Sequence, residues 1–320
     1  MPSPNSTFTE MVTTTLRNHA KKLVDNVSDH NALLRKLKEN GNFVTKSGGY
    51  EIVFPLEYAE NATYQRYSGY DTLNTNASDV FTAAKYDWAQ VAIHVTASGR
   101  EIRMNNGPEA MIDLVKARIK NAMNTASNNM SVDIYGSGAL TNQIGGLGLI
   151  VTSDGTGTVG GINSSTYSFW ANQFHENAGT GLAATTVQVA MNTLYLRCVR
   201  GNDRPDLIVQ SNDYYGVYEA SLQTNQRYMN SKLADLGFAT LEYKGIPVVF
   251  DSNTNFGTTA EVQFFLNTKY LYMVQHSEAQ WTQDDEKVPI NQDAVVIPMY
   301  WMGNMVCTNR SLQGKLIDVS

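Results

Sequence analysis

The sequence predicts an α+β fold, and three features carry the prediction. Long helical periodicities lie ahead of residue 135, strands outnumber helices after residue 240, and the middle mixes short strands with helices instead of repeating a strand-helix unit. Beyond the fold class stands an alternating, aromatic-rich hairpin from Tyr50 to Ala97, succeeded directly by a long amphipathic helix from Pro108 to about Met130. A hairpin that long cannot bury both its faces on itself. It therefore predicts a protein built to assemble with something outside its own core.

The first 40 residues read as helix. Ser6 or Thr7 is the expected N-cap, and Phe8, Met11, Val12, Leu16, Ala20, Leu23, Val24 and Val27 share one face. A second start is expected at Ser28 or Asp29, with Ala32, Leu33, Leu34 and Leu37 extending the stripe. Gly41 then ends the helix in the left-handed conformation. The segment is basic, with Arg17, Lys21, Lys22, Arg35, Lys36 and Lys38 among its charges.

After the Ser47-Gly48-Gly49 turn, Tyr50, Ile52, Phe54, Leu56 and Tyr58 alternate with Glu51, Val53, Pro55 and Glu57, the period of a strand. Pro55 lacks an N–H for a central ladder and marks an edge. Val91, Ile93 and Val95 are the expected return strand. The stretch from Ala59 to Val80 between them is rich in Asn, Thr, Ser and Tyr, a polar tip. Between Ser47 and Ala84, Glu51, Glu57, Glu60, Asp71 and Asp79 face only Arg66: five acids against one base, a net charge of −4.

Pro108 opens the long helix at the first helical position, where its missing N–H costs nothing. Met111, Leu114, Val115, Ile119, Ala122, Met123, Ala126 and Met130 form its stripe. The chain is then glycine-dense from Tyr135 to Asn163, read as loop with an apolar strand at Leu147 to Val151. Expected next are a helix from Thr186 to Arg200, a strand from Asp206 to Gln210, and a helix from Asn212 to Gln223 capped by Ser211 or Asn212. A tight strand pair about Lys244-Gly245, a strand within Phe264 to Gln275, and another from Ala294 to Val306 complete the pattern.

At 320 residues and 42% hydrophobic residues the chain can bury a sizeable core, and its net charge of −6 disfavours tight sequence-specific binding to a phosphate backbone. Cys198 and Cys307 form neither a CxxC nor a disulfide framework and are expected to be reduced and buried. The first residues carry no apolar leader, so the Asn-x-Ser/Thr triplets are not expected to be glycosylated. No window approaches a membrane span, and a soluble protein is expected.

No catalytic, metal or cofactor site is expected. Gly155-x-Gly157-x-x-Gly160 matches the dinucleotide fingerprint in letters. The next residues, Ile162 to Trp170, are no helix-opening run, so a surface loop is the expected reading. His19, His30, His94, His175 and His276 are isolated from one another and from cysteine. Asp284-Asp285-Glu286 lacks the glycine-punctuated spacing of a calcium loop. Met299, Tyr300, Trp301, Met302 and Met305 read as core. The rival enzyme reading, a dinucleotide-dependent oxidoreductase, rests on the three glycines alone.

The order of parts resembles the major capsid proteins of tailed bacteriophages, the Hong-Kong-ninety-seven-type fold. The resemblance is carried by DNVSDHNALLRKLKENGN (25–42), SGGYEIVFPLEYAENATYQRYSGYDTLNTNASDVFTAAKYDW (47–88), GTVGGINSSTYSFWANQ (157–173) and RGNDRPDLIVQSNDYYGVYEA (200–220). It implies an N-arm (1–46), an extended E-loop hairpin (47–98), a spine helix of the P-domain (99–134), an A-domain (135–261), and late strands mostly of the P-domain with a return to the A-domain (262–320). It further implies a non-enzymatic subunit forming hexamers and pentamers of an icosahedral shell around packaged double-stranded DNA, contacted non-specifically. The expected location is the virion capsid, after assembly in the host cytoplasm. No lysine occurs from Ser47 to Ala84, so the E-loop lysine crosslink of some relatives is not expected. A separate scaffolding protein, a portal and a decoration protein are the expected partners, and no membrane. The same-fold alternative is an encapsulin-like nanocompartment shell; a β-rich tail or adhesion protein is a weaker rival.

On this reading the hairpin lies across a neighbouring subunit. The expected contacts are Phe54, Tyr58, Tyr64, Tyr67, Tyr70 and Phe81, with Glu57, Glu60 and Arg66 among the charges. Arg17, Lys21, Arg35, Arg100, Arg103, Lys116, Arg118 and Lys120 are the candidate basic counterparts.

Overall fold

A computed structural model describes residues 31–104, 108–177, 183–222, 241–252, 254, 256, 261–283 and 287–318, with the backbone alone at 102, 103, 108–116 and 283. The expected arm helix and its caps at Ser6, Thr7, Ser28 and Asp29 lie outside these residues. The first described helix, α1 (Ala32–Glu39), starts after Asn31, whose extended backbone and side-chain oxygen, accepting from the Leu34 N–H at 3.1 Å, make it the cap. Gly41 ends it at φ +72°, as the sequence predicts.

Strand β1 (Phe43–Lys46) comes next, then β2 (Ile52–Glu57) and β3 (Phe81–Tyr86). The return strand of the hairpin is β3, not Val91 to Val95, because Ile52 pairs with Tyr86 and Glu57 with Phe81. Val91, Ile93 and Val95 belong to β4 (Ala89–Ser98), which crosses into another sheet. Both segments alternate in period two, so pattern alone could not choose the partner.

A short helix, α2 (Gly99–Met104), leads into α3 (Pro108–Tyr135), five residues longer than the stripe to Met130 implies. Ala122, Ala126, Ser131, Ile134 and Tyr135 are buried, whereas Met123 is exposed. Leu147 to Ile150 forms α4, a single helical turn and not a strand. A Cβ at Gly146 would stand 2.3 to 2.6 Å from the carbonyls of Asp133, Ile134 and Gly136, so this turn is wedged against the end of α3.

Strands β5 (Thr158–Val159), β6 (Ile162–Asn163) and β7 (Gln173–Glu176) precede α5 (Val187–Cys198), β8 (Leu207–Gln210) and α6 (Asn212–Ser221). Ser211 sits at the N-cap of α6, but its Oγ accepts from the Val262 N–H (3.4 Å) and not from the helix. Strands β9 (Leu241–Tyr243) and β10 (Ile246–Phe250) pair about Lys244 and Gly245, both at positive φ as a tight hairpin turn requires. The expected single strand from Phe264 to Gln275 is two: β11 (Val262–Leu266) and β12 (Leu271–Gln283), separated by a 3₁₀ turn at Thr268–Tyr270 and lying in different sheets. The chain closes with β13 (Ala294–Cys307) and β14 (Gly314–Ile317).

The larger sheet has the order β7-β14-β11-β8-β10-β9 with mixed directions. Every residue of β8 and β11 is buried, which explains their continuous apolar runs. One face packs Ile208, Val248, Phe265 and Leu316 under α5 and α6. The other packs Leu207, Val209, Phe264 and Leu266 with Leu33, Leu37 and Tyr135. The smaller sheet, β1-β12-β13-β4, carries α3 through a cluster of Val95, Ala122 and Met299. Met299, Trp301 and Met305 are core as expected, while Tyr300 is partly exposed. Both cysteines are free and buried.

Candidate inter-subunit surface

The hairpin divides into a base that packs on its own chain and a tip that stays largely exposed among the described residues. At the base, Ile52, Leu56, Ala84 and Tyr86 are buried. Phe54 stacks on Tyr272 (5.6 Å between ring centres), with the Lys46 ammonium 4.4 Å above its ring. Tyr58 meets Phe169 at 5.5 Å. The Tyr86 hydroxyl donates to the Cys307 carbonyl (2.7 Å), and burial raises its pKa far above the phenol range.

The glycine loop supplies the other side of this clamp. The Lys85 N–H donates to the Gly160 carbonyl (2.9 Å), and a Cβ on Gly160 would stand 2.9 Å from the Ala84 Cβ. The loop is preceded by α4 and leads into the β5-β6 hairpin, with no helix opening at the third glycine. That geometry contradicts a dinucleotide fold, whose pyrophosphate needs a strand-to-helix turn. The glycines are there for close backbone approach and positive φ, +59° at Gly160.

From Ala59 to Val80 the tip is held by amides and hydroxyls. Asn61 Oδ1 accepts from Thr63 N–H (3.0 Å), Thr63 Oγ1 (2.8 Å) and Ser78 Oγ (2.8 Å). Asn74 donates to the Ala62 carbonyl (3.2 Å) and accepts from the Asn76 N–H (3.1 Å), while Asp71 Oδ2 accepts from the Ser68 N–H (2.8 Å). Such a scaffold gives the tip a shape without an apolar centre. The aromatic rings accordingly face outward: Tyr64 is 83%, Tyr67 66% and Phe81 68% exposed, and Tyr70 and Tyr50 are almost wholly so. Glu57, Glu60 and Arg66 are exposed beside them.

The structure thus separates the expected contact residues. Phe54 and Tyr58 already touch their own chain, whereas Tyr64, Tyr67, Tyr70 and Phe81 are each largely exposed. Of the basic candidates, Arg35 pairs with Glu39 (3.4 Å) within α1. Arg118 pairs with Glu101 (3.1 Å) and donates to the Thr96 carbonyl. The Glu101 carboxyl is held below its usual range, first by the Ser98 N–H and then by hydrogen bonds that include Arg118. Arg100 and Lys120 are exposed. Arg17 and Lys21, and the side chains of Arg103 and Lys116, lie outside the described residues.

Two internal anchors gave no signal in the sequence. Arg310 is fully buried and donates to the carbonyls of Ile150 and Thr156 (2.8 Å) and to the hydroxyls of Ser164 (3.2 Å) and Thr152 (3.0 Å). Its guanidinium organises the glycine loop that clamps the hairpin. Thr268 donates from N–H (2.7 Å) and hydroxyl to Asp206, while Asn40 donates to its hydroxyl (2.6 Å) and Asn42 to its carbonyl. This node ties the end of α1 to both sheets.

No family model matches the chain, and no curated protein matches it. Solved structures do. A chain of the cyanophage A-1(L) capsid asymmetric unit aligns at TM-score 0.63 and 18% identity, over 93% of this chain and 95% of that one. A chain from Mycobacterium phage Bobi aligns at 0.60 and 10% identity over 94% and 95%, and one from the capsid of Myoviridae phage XM1 at 0.53 and 13% over 88% and 92%. These likenesses run nearly end to end despite the low identity, and the fold of this protein is the tailed-phage capsid fold.

Proposed function

We propose that this chain is the structural subunit of an icosahedral virion shell, a major capsid protein without catalytic activity, assembling as hexamers and pentamers around packaged double-stranded DNA. The carrying observation is the hairpin tip: an acidic, aromatic-studded segment whose rings stay largely exposed among the described residues. Laying each ring on a neighbour contributes about 1.5–3 kcal/mol, whereas each exposed ion pair contributes about 0.2–1 kcal/mol. Aromatic burial therefore holds the contact, and the −4 charge of the hairpin directs it toward basic surface on the next copy. A separate scaffolding protein, a portal and a decoration protein are the partners such a shell would use. Contact with DNA is non-specific and weak, since a chain of net charge −6 gains little from neutralising phosphates.

The test is a Tyr64→Ser/Tyr67→Ser/Tyr70→Ser variant viewed by negative-stain electron microscopy beside the parent chain. The tip tyrosines touch no core, so the variant keeps the parent's circular dichroism and unfolding temperature while closed shells and capsomer rings disappear. Shells formed in undiminished yield would refute the role given to the tip.

A further inference from the structure

The six-stranded sheet contains a group of buried polar side chains that its packing leaves unsatisfied. Gln210 on β8 stands opposite Gln263 on β11, so the two side chains share a face. By alternation that face is the one of Ile208, Phe265 and Leu316, covered by α5 and α6. Tyr214, in the first turn of α6, is buried over the same region. Asp318 extends β14 past Leu316, the partner of Gln263, and its N–H donates to the Glu261 carbonyl (3.4 Å). All four are more than nine-tenths buried. Yet Gln210 Nε2 and Oε1, Gln263 Nε2 and Oε1, Tyr214 Oη and both Asp318 carboxylate oxygens have no hydrogen-bond partner among the described residues.

We propose that Gln210, Gln263, Tyr214 and Asp318 enclose a site for a cluster of bound water, so that α6 meets the sheet through a wet polar chamber. A buried amide or carboxylate left unpaired is strongly disfavoured, and native interiors resolve such groups with protein or with ordered water. The chemistry of the set selects the ligand. The two amides bring N–H donors, the carboxylate brings acceptors, and the phenol can do either. A bare cation would engage only the oxygens, leave both amide nitrogens unpaired, and sit near the positive end of α6. Water serves donors and acceptors together. With about three hydrogen bonds per buried water, seven unsatisfied atoms call for about two to three molecules. Burial, then the carboxylates of Asp318 and Glu261, hold the Tyr214 hydroxyl well above the usual phenol range, so it remains protonated and able to donate.

Two measurements test the site. A map of the chain or its assemblies at a resolution that shows ordered water should contain density bonded to at least three of the four side chains. Thermal unfolding should show a coupled response. Gln210→Leu or Gln263→Leu alone lowers the unfolding temperature by about 2 °C or more, while the double leucine variant is at least as stable as the parent, having expelled the water between two apolar groups. A dry contact, with the two glutamine amides bonded directly to each other, would overturn the proposal. So would a metal ion in the chamber, seen as a calcium- or magnesium-dependent rise in unfolding temperature that a chelator removes.

Discussion

Arg310 offers the sharpest test of how the hairpin clamp is built. Its guanidinium is fully buried, no carboxylate among the described residues lies within salt-bridge distance, and its compensation comes from carbonyls and hydroxyls. Arg310→Met fills much of the volume but leaves the Ile150, Thr156 and Trp170 carbonyls without that donor. Charge-assisted hydrogen bonds contribute about 1.5–3 kcal/mol each, and they are not additive. Breaking a buried polar network typically costs about 3–5 kcal/mol, which is the expected loss here. With a urea slope of about 3 kcal/mol/M, that loss moves the unfolding midpoint down by about 1–1.7 M. The assay is urea unfolding monitored by tryptophan fluorescence, since the buried Trp170 indole donates to the Val159 carbonyl (2.9 Å) in the same loop. Arg310→Lys, with one compact ammonium in place of a fork of five donors, should recover only part of the loss. A midpoint shift below about 0.3 M for Arg310→Met would refute the argument.

The same packing sets two more outcomes. Gly160→Ala should destabilise the chain by more than the roughly 1–2 kcal/mol of left-handed strain alone, because its Cβ also meets Ala84 at 2.9 Å; Gly161→Ala, at φ +76° with nothing within 4 Å, isolates the strain. Equal costs for the two, read by urea unfolding, would show that the clamp contact is not tight. Burial pushes the Cys198 and Cys307 thiols up to about 12, so a disulfide-exchange reagent at pH 8 should leave the folded chain unlabelled and take up two equivalents once urea is added. Rapid labelling of the folded chain would mean that one thiol is reached by solvent.

Much of this architecture was legible because local rules sufficed. Pro108 at a helix start, Gly41 after a helix end, and Lys244-Gly245 between apolar runs specify backbone conformation within a few residues, and the structure has each where the pattern places it. The polar composition from Ala59 to Val80 likewise shows that this stretch cannot make a core. Partner choice was not local. Phe81–Tyr86 and Ala89–Ser98 both alternate, and only their neighbours in space assign one to the hairpin and the other to the sheet under α3. The break at Thr268 was hidden because its satisfaction comes from Asp206, distant in sequence. Phe54 and Tyr58, expected from the sequence as contacts with a neighbour, pack on Tyr272 and Phe169 of their own chain.

The sequence by itself determined the α+β class, the order of hairpin and long helix, the acidic aromatic tip, and the resemblance to phage capsid proteins. These depend on periodicity, turn residues and composition, which act over a few residues. The tertiary structure alone decided which strand closes the hairpin, which of its aromatics stay exposed, and that Arg310 and the glycine loop hold the hairpin's base. Each of those depends on groups that meet only when distant segments pack, where burial and hydrogen-bond satisfaction, and not local propensity, select the outcome.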